Sequence, residues 1–240
     1  MTIRHGLRKL LWKAGYEITR FRPDSSPLAR RKRLLEAYGI DTVLDVGANT
    51  GQYATELRHD LNFEGRIVSF EPLTTAFAAL ERNARGDPLW ETVNCALGDT
   101  DGSMDIHIAE NSYSSSILDM LPAHIKSAPD SRYTGRERIV VKRLDSIIDS
   151  LCAPHGKLYL KVDVQGFESR VLAGAVACLP RIDTIQLEMS LTPLYEGERS
   201  FGEMHQFLLE KGYQLVSVEP GFSDAETGRL LQVDGIYRRL

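Results

Sequence analysis

The sequence is poor in cysteine, in long apolar runs and in the features of an export signal. Its three cysteines are an odd number and form no CxxC pair, which argues against a disulfide framework or a zinc site and indicates a reducing, cytoplasmic setting. No apolar run approaches the roughly 20 residues that span a bilayer. The basic first residues lack the apolar core and the cleavage site of a secretory signal, so we expect none.

The remaining composition is that of a globular protein. Hydrophobic residues make up 42% of the 240 positions and charged residues 26%, which excludes a collagen-like or disordered chain. The length suits one α/β domain with a sizeable core.

Charge is distributed unevenly along the chain. Residues 1–33 hold ten lysines and arginines against Glu17 and Asp24, a net charge of +8, so the overall charge of −4 leaves −12 on residues 34–240. Leucines recur in this arm at helical spacing, which predicts a basic amphipathic helix through Leu7, Leu10, Leu11, Ala14 and Ile18, beside Trp12. Such a helix either contacts an anionic membrane or packs on the domain or on a second subunit in a homodimer. The acidic body does not favour nucleic acid as a partner.

Beyond the arm, strand-like and helical segments alternate, which predicts a parallel sheet with right-handed crossovers. The predicted strands are Thr42–Val46, Arg66–Phe70, Glu91–Leu97, Leu158–Val164, Thr184–Met189, Gln214–Glu219 and Asp234–Arg238, and the predicted helices are Gly51–His59, Thr74–Ala84, Ser169–Ala177 and Phe201–Lys211. An insertion at about 100–143 interrupts the alternation. Its strand-like ends, Met104–Ala109 and Arg138–Arg143, flank a polar stretch that is typical of a lid or binding loop.

Two motifs indicate a ligand that contains a ribose. The strand at Val43 ends in a turn with Gly47 and Gly51, where we expect the backbone to approach a ligand and the next helix to point free N–H groups at it. Glu71 ends the following strand, in the position from which a carboxylate accepts two hydrogen bonds from ribose hydroxyls.

The turn also bears on which cofactor binds. A dinucleotide fingerprint reads G-x-G-x-x-G, but Asn49 stands where its second glycine would be. Asp45, just before the turn, would repel a pyrophosphate and attract an ammonium group, which favours S-adenosylmethionine over NAD. An NAD-dependent oxidoreductase, and a glycine turn without a ligand, remain alternatives.

Several further segments resemble one family in order and spacing. The chain is similar to class I S-adenosylmethionine-dependent methyltransferases, and more closely to the FkbM family, over most of residues 42–238. The segments that carry the resemblance are LDVGANTGQY (44–53), VSFEP (68–72), NCALGD (94–99), LDSI (144–147), LYLKVDVQGFE (158–168), QLE (186–188), PLYEG (193–197) and LQVDG (231–235).

The resemblance implies a Rossmann-like α/β domain over residues 34–240, with a seven-stranded mixed sheet flanked by helices and an antiparallel last strand. It implies an O-methyltransferase that acts on a hydroxyl of a sugar or related metabolite. The cofactor-binding residues that we predict are Asp45, Gly47, Ala48, Asn49, Gly51, Tyr53, Glu71, Pro72, Asn94 and Ala96. Many members carry Glu where this chain has Gln165, so we expect no metal.

Methyl transfer to an alcohol gains from a general base. We predict Asp163, Glu188 and His205 as catalytic residues, since the first two end predicted strands and histidine accepts protons near neutral pH. The alternatives are that Asp163 caps the next helix, that Glu188 pairs with Lys161 and that His205 is an ordinary helical residue.

For the acceptor we predict contacts from Asn111, Ser115 and Gln165. The apolar residues 117–121 either cover an acyl or aglycone group or form a small core of the lid. The expected substrate is a sugar hydroxyl in a glycolipid or secondary metabolite, and a non-catalytic nucleoside-binding module is a further alternative.

Overall fold

The computed structural model describes residues 3–239, without the side chains of residues 3–5 and 7. The chain divides into two compact units after Gly39. The division that we predicted from charge, into residues 1–33 and 34–240, stays a prediction.

The first unit contains helices α1 (Ile3–Lys13) and α2 (Pro27–Tyr38). Helix α2 begins where the Ser26 side chain accepts a hydrogen bond from the Ala29 N–H, and Pro27 at the first position suits a helix start. Helix α1 ends before Gly15, which has φ 80°, so the predicted helical run to Ile18 is too long. The predicted contribution of Leu7 lies outside the described side chains.

The described part of the second unit, residues 40–239, contains ten strands and six α-helices. In chain order they are β1 (Thr42–Val46), α3 (Gln52–His59), β2 (Arg66–Phe70), α4 (Thr74–Ala84), β3 (Trp90–Val93), β4 (Ala96–Leu97), β5 (Gly102–Ala109), α5 (Pro122–Ser127), β6 (Tyr133–Lys142), α6 (Leu144–Leu151), β7 (Leu158–Val162), α7 (Glu168–Ala173), β8 (Ile182–Ser190), α8 (Phe201–Glu210), β9 (Tyr213–Pro220) and β10 (Gln232–Arg239).

Seven strands form the main sheet, in the order β3-β2-β1-β7-β8-β10-β9. The strands β3, β2, β1, β7 and β8 pair in parallel, whereas β10 pairs antiparallel with β8 and β9. The predicted mixed sheet with an antiparallel last strand is therefore confirmed. Every residue of the central strands β1 and β7 is buried, as expected for strands covered on both faces.

The chain leaves β1 for β2 on one side and returns to β7 on the other, so the strand order reverses between β1 and β7. In open α/β sheets, ligands bind outside the carboxyl ends of the strands at such a reversal. Val46 and Val162, which end these two strands, therefore mark the crevice where a site is expected.

The predicted strand Glu91–Leu97 is wrong as one element. Strand β3 ends at Val93, and β4 belongs to a second sheet of three strands in the order β4-β6-β5. The Asn94 amide donates to the carbonyls of Glu71 (2.9 Å) and Pro72 (3.1 Å), outside any strand ladder. The strand-like ends of the insertion form the antiparallel pair β5 and β6, as far as Tyr133.

Among the described residues, none of the helices combines the length and the apolar character that a membrane crossing requires.

Candidate active site

The turn after β1 is held entirely by bonds within the protein. All five of its backbone N–H groups have acceptors there: Gly47 and Ala48 donate to the Phe70 carbonyl (3.1 and 3.0 Å), Asn49 to Glu71 Oε2 (2.9 Å), Thr50 to Asn49 Oδ1 (2.8 Å) and Gly51 to the Ala48 carbonyl (2.8 Å). The bonds within the protein thus occupy the N–H groups of residues 47–51, whereas the expectation that helix α3 points free N–H groups at a ligand stays a prediction. A pyrophosphate needs such donors.

Close packing requires glycine at both glycine positions of the turn. A Cβ on Gly47 would lie 1.8 Å from the Asp163 carbonyl oxygen, and one on Gly51 would lie 2.8 Å from the Trp90 ring. Both residues have positive φ, 79° and 92°. The structure explains these glycines by contacts with Asp163, which follows β7, and with Trp90 of β3, and the expected approach of a ligand to the turn stays a prediction.

Glu71 lies at the carboxyl end of β2 and is buried. Its Oε1 accepts from the Leu73 N–H and its Oε2 from the Asn49 N–H, each at 2.9 Å. Because a carboxylate oxygen has two lone pairs, each oxygen retains one for a further donor. Burial raises the pKa of Glu71 to about 7, although both backbone bonds lower it.

The other predicted cofactor residues differ in what they offer. The side chains of Ala48 and Ala96 are buried, whereas Pro72 is partly exposed. The Asn49 amide lies 3.4 Å from Ser112 Oγ and so joins the turn to the insertion. Tyr53 donates its hydroxyl to Gln186 Oε1 (2.9 Å) and places its ring 5.3 Å from Lys161 Nζ.

Asp45 is fully buried beside a lysine. Its Oδ1 lies 3.3 Å from Lys161 Nζ, and its Oδ2 accepts from the Ser69 hydroxyl at 3.2 Å. Lys161 Nζ also lies 3.5 Å from Asp163 Oδ2. Burial by itself lowers the pKa of Lys161, but Asp163 and Asp45 raise it above its usual value, so the lysine stays charged. We expected the ammonium group of the cofactor to lie near Asp45, but the structure places the Lys161 ammonium group beside this carboxylate.

Gln165 joins the two predicted catalytic carboxylates. Its amide nitrogen donates to Asp163 Oδ1 (2.7 Å) and to Glu188 Oε2 (3.0 Å), while its Oε1 accepts from the Tyr195 hydroxyl (2.7 Å). Gln232 donates to the same Glu188 oxygen (2.9 Å). The structure therefore brings Asp163, Gln165 and Glu188 together at the ends of β7 and β8.

The buried carboxyl groups around Lys161 ionise less readily than ordinary carboxyl groups. Burial, followed by Asp163, Glu168 and Asp234, raises the pKa of Glu188 well above its usual value, against an opposing effect of Lys161. Burial likewise raises the pKa of Glu168 to about 8. One lysine thus stands among several carboxyl groups, of which Glu188 and Glu168 hold their protons more tightly than ordinary glutamates.

The alternatives for Asp163 and Glu188 do not match the contacts. Helix α7 starts after Phe167 without a capping side chain, so Asp163 is not its cap. The ion pairs of Lys161 go to Asp45 and Asp163 rather than to Glu188.

His205 lies apart from this cluster. Its Nδ1 lies 3.0 Å from the Tyr237 hydroxyl and its ring stacks on Phe201 at 5.7 Å. Among the described residues it has no contact with Asp163 or Glu188. Helix α8 packs His205 against Tyr237 of β10, so the structure does not support a catalytic role for it.

The predicted acceptor residues of the insertion stabilise their own loop. Asn111 Oδ1 accepts from the Ser114 N–H (3.0 Å), and Ser115 Oγ accepts from the Ala109 N–H (3.0 Å). Ser116, at the end of the same loop, donates to the Gln165 carbonyl (2.6 Å). Leu118 and Met120 pack against a small core of Leu194, Tyr195 and Leu231, which favours the structural alternative for this stretch.

Sequence reasoning missed two members of the cluster, Tyr195 and Gln232, and gave Lys161 only an alternative role. A lysine inside an otherwise apolar buried strand was a usable signal, because a buried cation needs carboxylate partners. The contacts of Tyr195 and Gln232 come from segments far from Gln165 in sequence, and no local pattern predicts them.

Comparison with known proteins agrees with this architecture. The Methyltransferase FkbM domain matches residues 45–215. The 2-O-methyltransferase NoeI of Sinorhizobium fredii (strain NBRC 101917 / NGR234) is 27% identical over 165 residues, which cover 65% of this chain and 66% of NoeI, just under two thirds of its length. A crystal structure of a methyltransferase-like protein from Thermobifida fusca YX aligns with a TM-score of 0.53 at 15% identity and covers 88% of this chain and 78% of that one, a likeness in fold. Since the domain match extends over most of the chain, this protein belongs to the FkbM methyltransferase family.

Proposed function

We propose that this protein is an S-adenosylmethionine-dependent O-methyltransferase whose acceptor is a hydroxyl of a sugar, carried by a glycolipid or a secondary metabolite. The observation that carries the proposal is the pair Asp163 and Glu188, joined by the Gln165 amide, at the end of the sheet where Glu71 also lies. The FkbM family and the name of the relative NoeI support transfer of a methyl group to oxygen.

The donor set fits S-adenosylmethionine. Glu71 keeps one lone pair on each oxygen for the two ribose hydroxyls. The internally bonded turn at 47–51 offers no donors to a pyrophosphate, which disfavours NAD. When bound, S-adenosylmethionine supplies a methyl group activated by its sulfonium.

Of the two carboxylates, Glu188 suits the role of general base better. Once ionised, Glu188 is a stronger proton acceptor than an ordinary glutamate because its pKa is raised, whereas Asp163 forms an ion pair with Lys161 at 3.5 Å. Glu188 accepts the proton of the acceptor hydroxyl, and Asp163 with Gln165 orients that hydroxyl. Both oxygens of Asp163 and the Gln165 amide are hydrogen-bonding groups of the kind that recognises sugar hydroxyls.

Calorimetry and product analysis test the proposal. We expect S-adenosylmethionine and S-adenosylhomocysteine to bind and NAD not to bind, and we expect S-adenosylhomocysteine to form when a sugar acceptor is supplied. An acceptor in which the reactive hydroxyl is replaced by hydrogen is the matched control. Binding without transfer to any member of a broad acceptor panel would favour a nucleoside-binding module, and NAD binding would overturn the cofactor assignment.

A further inference from the structure

A short stretch near the start of the chain exposes apolar and cationic side chains together. We call residues 8–22 the basic apolar segment; it comprises the second half of α1 and the loop after it. Its exposed large apolar side chains are Leu10 (64% exposed), Trp12 (48%), Tyr16 (68%), Ile18 (75%) and Phe21 (57%). The described residues include twelve exposed large apolar side chains. Five of these twelve are concentrated within positions 10–21.

Cations surround these apolar groups. The segment carries five exposed basic residues, Arg8, Lys9, Lys13, Arg20 and Arg22. Against them stands one carboxylate, Glu17, whose Oε1 lies 3.2 Å from an Arg8 guanidinium nitrogen. Arg8 also lies over the Trp12 ring, 4.7 Å from its centroid. The net charge of the segment is therefore +4.

We infer that the basic apolar segment docks the protein on the surface of an anionic lipid bilayer. Tryptophan and tyrosine favour the boundary between headgroups and acyl chains, where an apolar ring and a polar tip are both accommodated. Leucine, isoleucine and phenylalanine enter the acyl region, while lysine and arginine contact anionic headgroups. The segment supplies all three kinds of side chain within 15 positions of sequence.

Charge confines this docking to one part of the chain. Residues 34–240 carry a net charge of −12 and would be repelled by an anionic surface. A nucleic acid would use the cations but would give no role to the exposed Leu10 and Ile18. An anionic bilayer, in contrast, would contact both the basic and the apolar side chains of the segment. The inference does not depend on the reaction that the protein catalyses.

Co-sedimentation of the 240-residue protein with lipid vesicles tests the inference. We expect binding to vesicles of equimolar phosphatidylcholine and phosphatidylglycerol and little binding to phosphatidylcholine alone. Because each cation at the surface contributes about fivefold in affinity, the triple variant Arg8→Glu, Lys9→Glu, Lys13→Glu should lose more than a hundredfold. Leu10→Glu with Ile18→Glu should lose binding as well, whereas Leu209→Glu, at an exposed position on α8, is the matched control and should bind normally.

Fluorescence locates the contact. The chain has two tryptophans, and Trp90 is already buried with its indole N–H donated to Ser69 Oγ at 3.0 Å. A blue shift on addition of anionic vesicles should therefore come from Trp12. The variant Trp12→Phe should keep binding but lose the blue shift.

Several outcomes would overturn the inference. Equal binding to neutral and anionic vesicles, or normal binding of the charge-reversed variant, would remove the electrostatic contact. Absence of vesicle binding together with a dimer that the same variants dissociate would assign the segment to a second copy of the chain. Absence of binding to anionic vesicles without such a dimer would likewise reject it.

Discussion

The two sides of the crevice are built by different kinds of hydrogen bond. On the cofactor side, which comprises the turn 47–51 and Glu71, the carboxylate accepts from backbone N–H groups and the turn bonds mostly to backbone carbonyls. On the acceptor side, which comprises Asp163, Gln165 and Glu188, side chains bond to side chains. Backbone bonds survive most substitutions, so the first side suits a ligand common to a family. The second side changes with single residues and therefore suits a variable acceptor.

The largest expected effect separates chemistry from cofactor binding. We expect Glu188→Gln to lower kcat by about 10²–10⁴-fold, because the base is lost while the shape is kept. The affinity for S-adenosylmethionine should change little. Steady-state kinetics and calorimetry measure the two quantities.

Asp105→Asn is the control for this variant, since Asp105 is an exposed carboxylate of the small sheet whose ion pair is with Arg138. It should leave kcat unchanged. A normal kcat in Glu188→Gln would remove Glu188 from the reaction.

The converse variant acts on the cofactor side. Glu71→Gln should raise the Kd for S-adenosylmethionine by about ten- to a hundredfold, because charge-assisted bonds to the ribose are lost. At saturating cofactor, kcat should fall much less. Glu81→Gln, on the exposed face of α4, is the matched control. Equal affinity in Glu71→Gln and the wild type would place the ribose elsewhere.

The pH dependence of binding sharpens the same comparison. In the proposed complex two ribose hydroxyls donate to Glu71 and so favour its ionised form. The pKa of Glu71 in the free protein is about 7. Below that pH the affinity should fall by about tenfold per pH unit. Binding should then release the Glu71 proton to the buffer. Calorimetry in two buffers of different ionisation enthalpy measures that proton. Glu71→Gln should abolish this proton release, and its persistence there would assign the proton to another group.

The same pKa has a consequence for folding. Because burial raises it from 4.5, the folded protein binds more protons than the unfolded chain between about pH 4.5 and 7. The contribution of Glu71 to the free energy of unfolding is therefore present at low pH and is lost as the pH rises through 7.

The smallest expected effect is on the pH dependence of kcat, through the contact of Gln165 with Glu188. Gln165→Glu replaces a donor shared by Asp163 and Glu188 with a third carboxyl group. The pKa of Glu188 should rise further, so kcat near neutral pH should fall by up to about tenfold and recover at higher pH. Gln206→Glu, on the exposed side of α8, is the control. An unchanged pH profile would show that the amide does not set the protonation of Glu188.

The two sides also differ in how far the sequence predicts them. The main sheet, the glycine turn and Glu71 follow from local patterns, such as the buried strand Thr42–Val46 and the acidic end of Arg66–Phe70. The break between Val93 and Ala96 does not, because it depends on bonds from Asn94 to residues beyond β2. Helix α6 was not predicted from the sequence either.

On the acceptor side, local pattern found the carboxylates but not their partners. Asp163 and Glu188 stand out because they end apolar strands. The pairing of Asp45 with Lys161 depends on the register of β1 against β7, where the two residues are opposite each other. The position of His205 depends on which side of α8 packs on Tyr237, and a lone helical histidine does not reveal that.

A crystal structure with S-adenosylhomocysteine tests the central claim most directly. The account predicts the two ribose hydroxyls on the Glu71 carboxylate and the sulfur facing the cluster of Asp163, Gln165 and Glu188. A nucleoside bound away from Glu71, or with its sulfur directed away from that cluster, would contradict it.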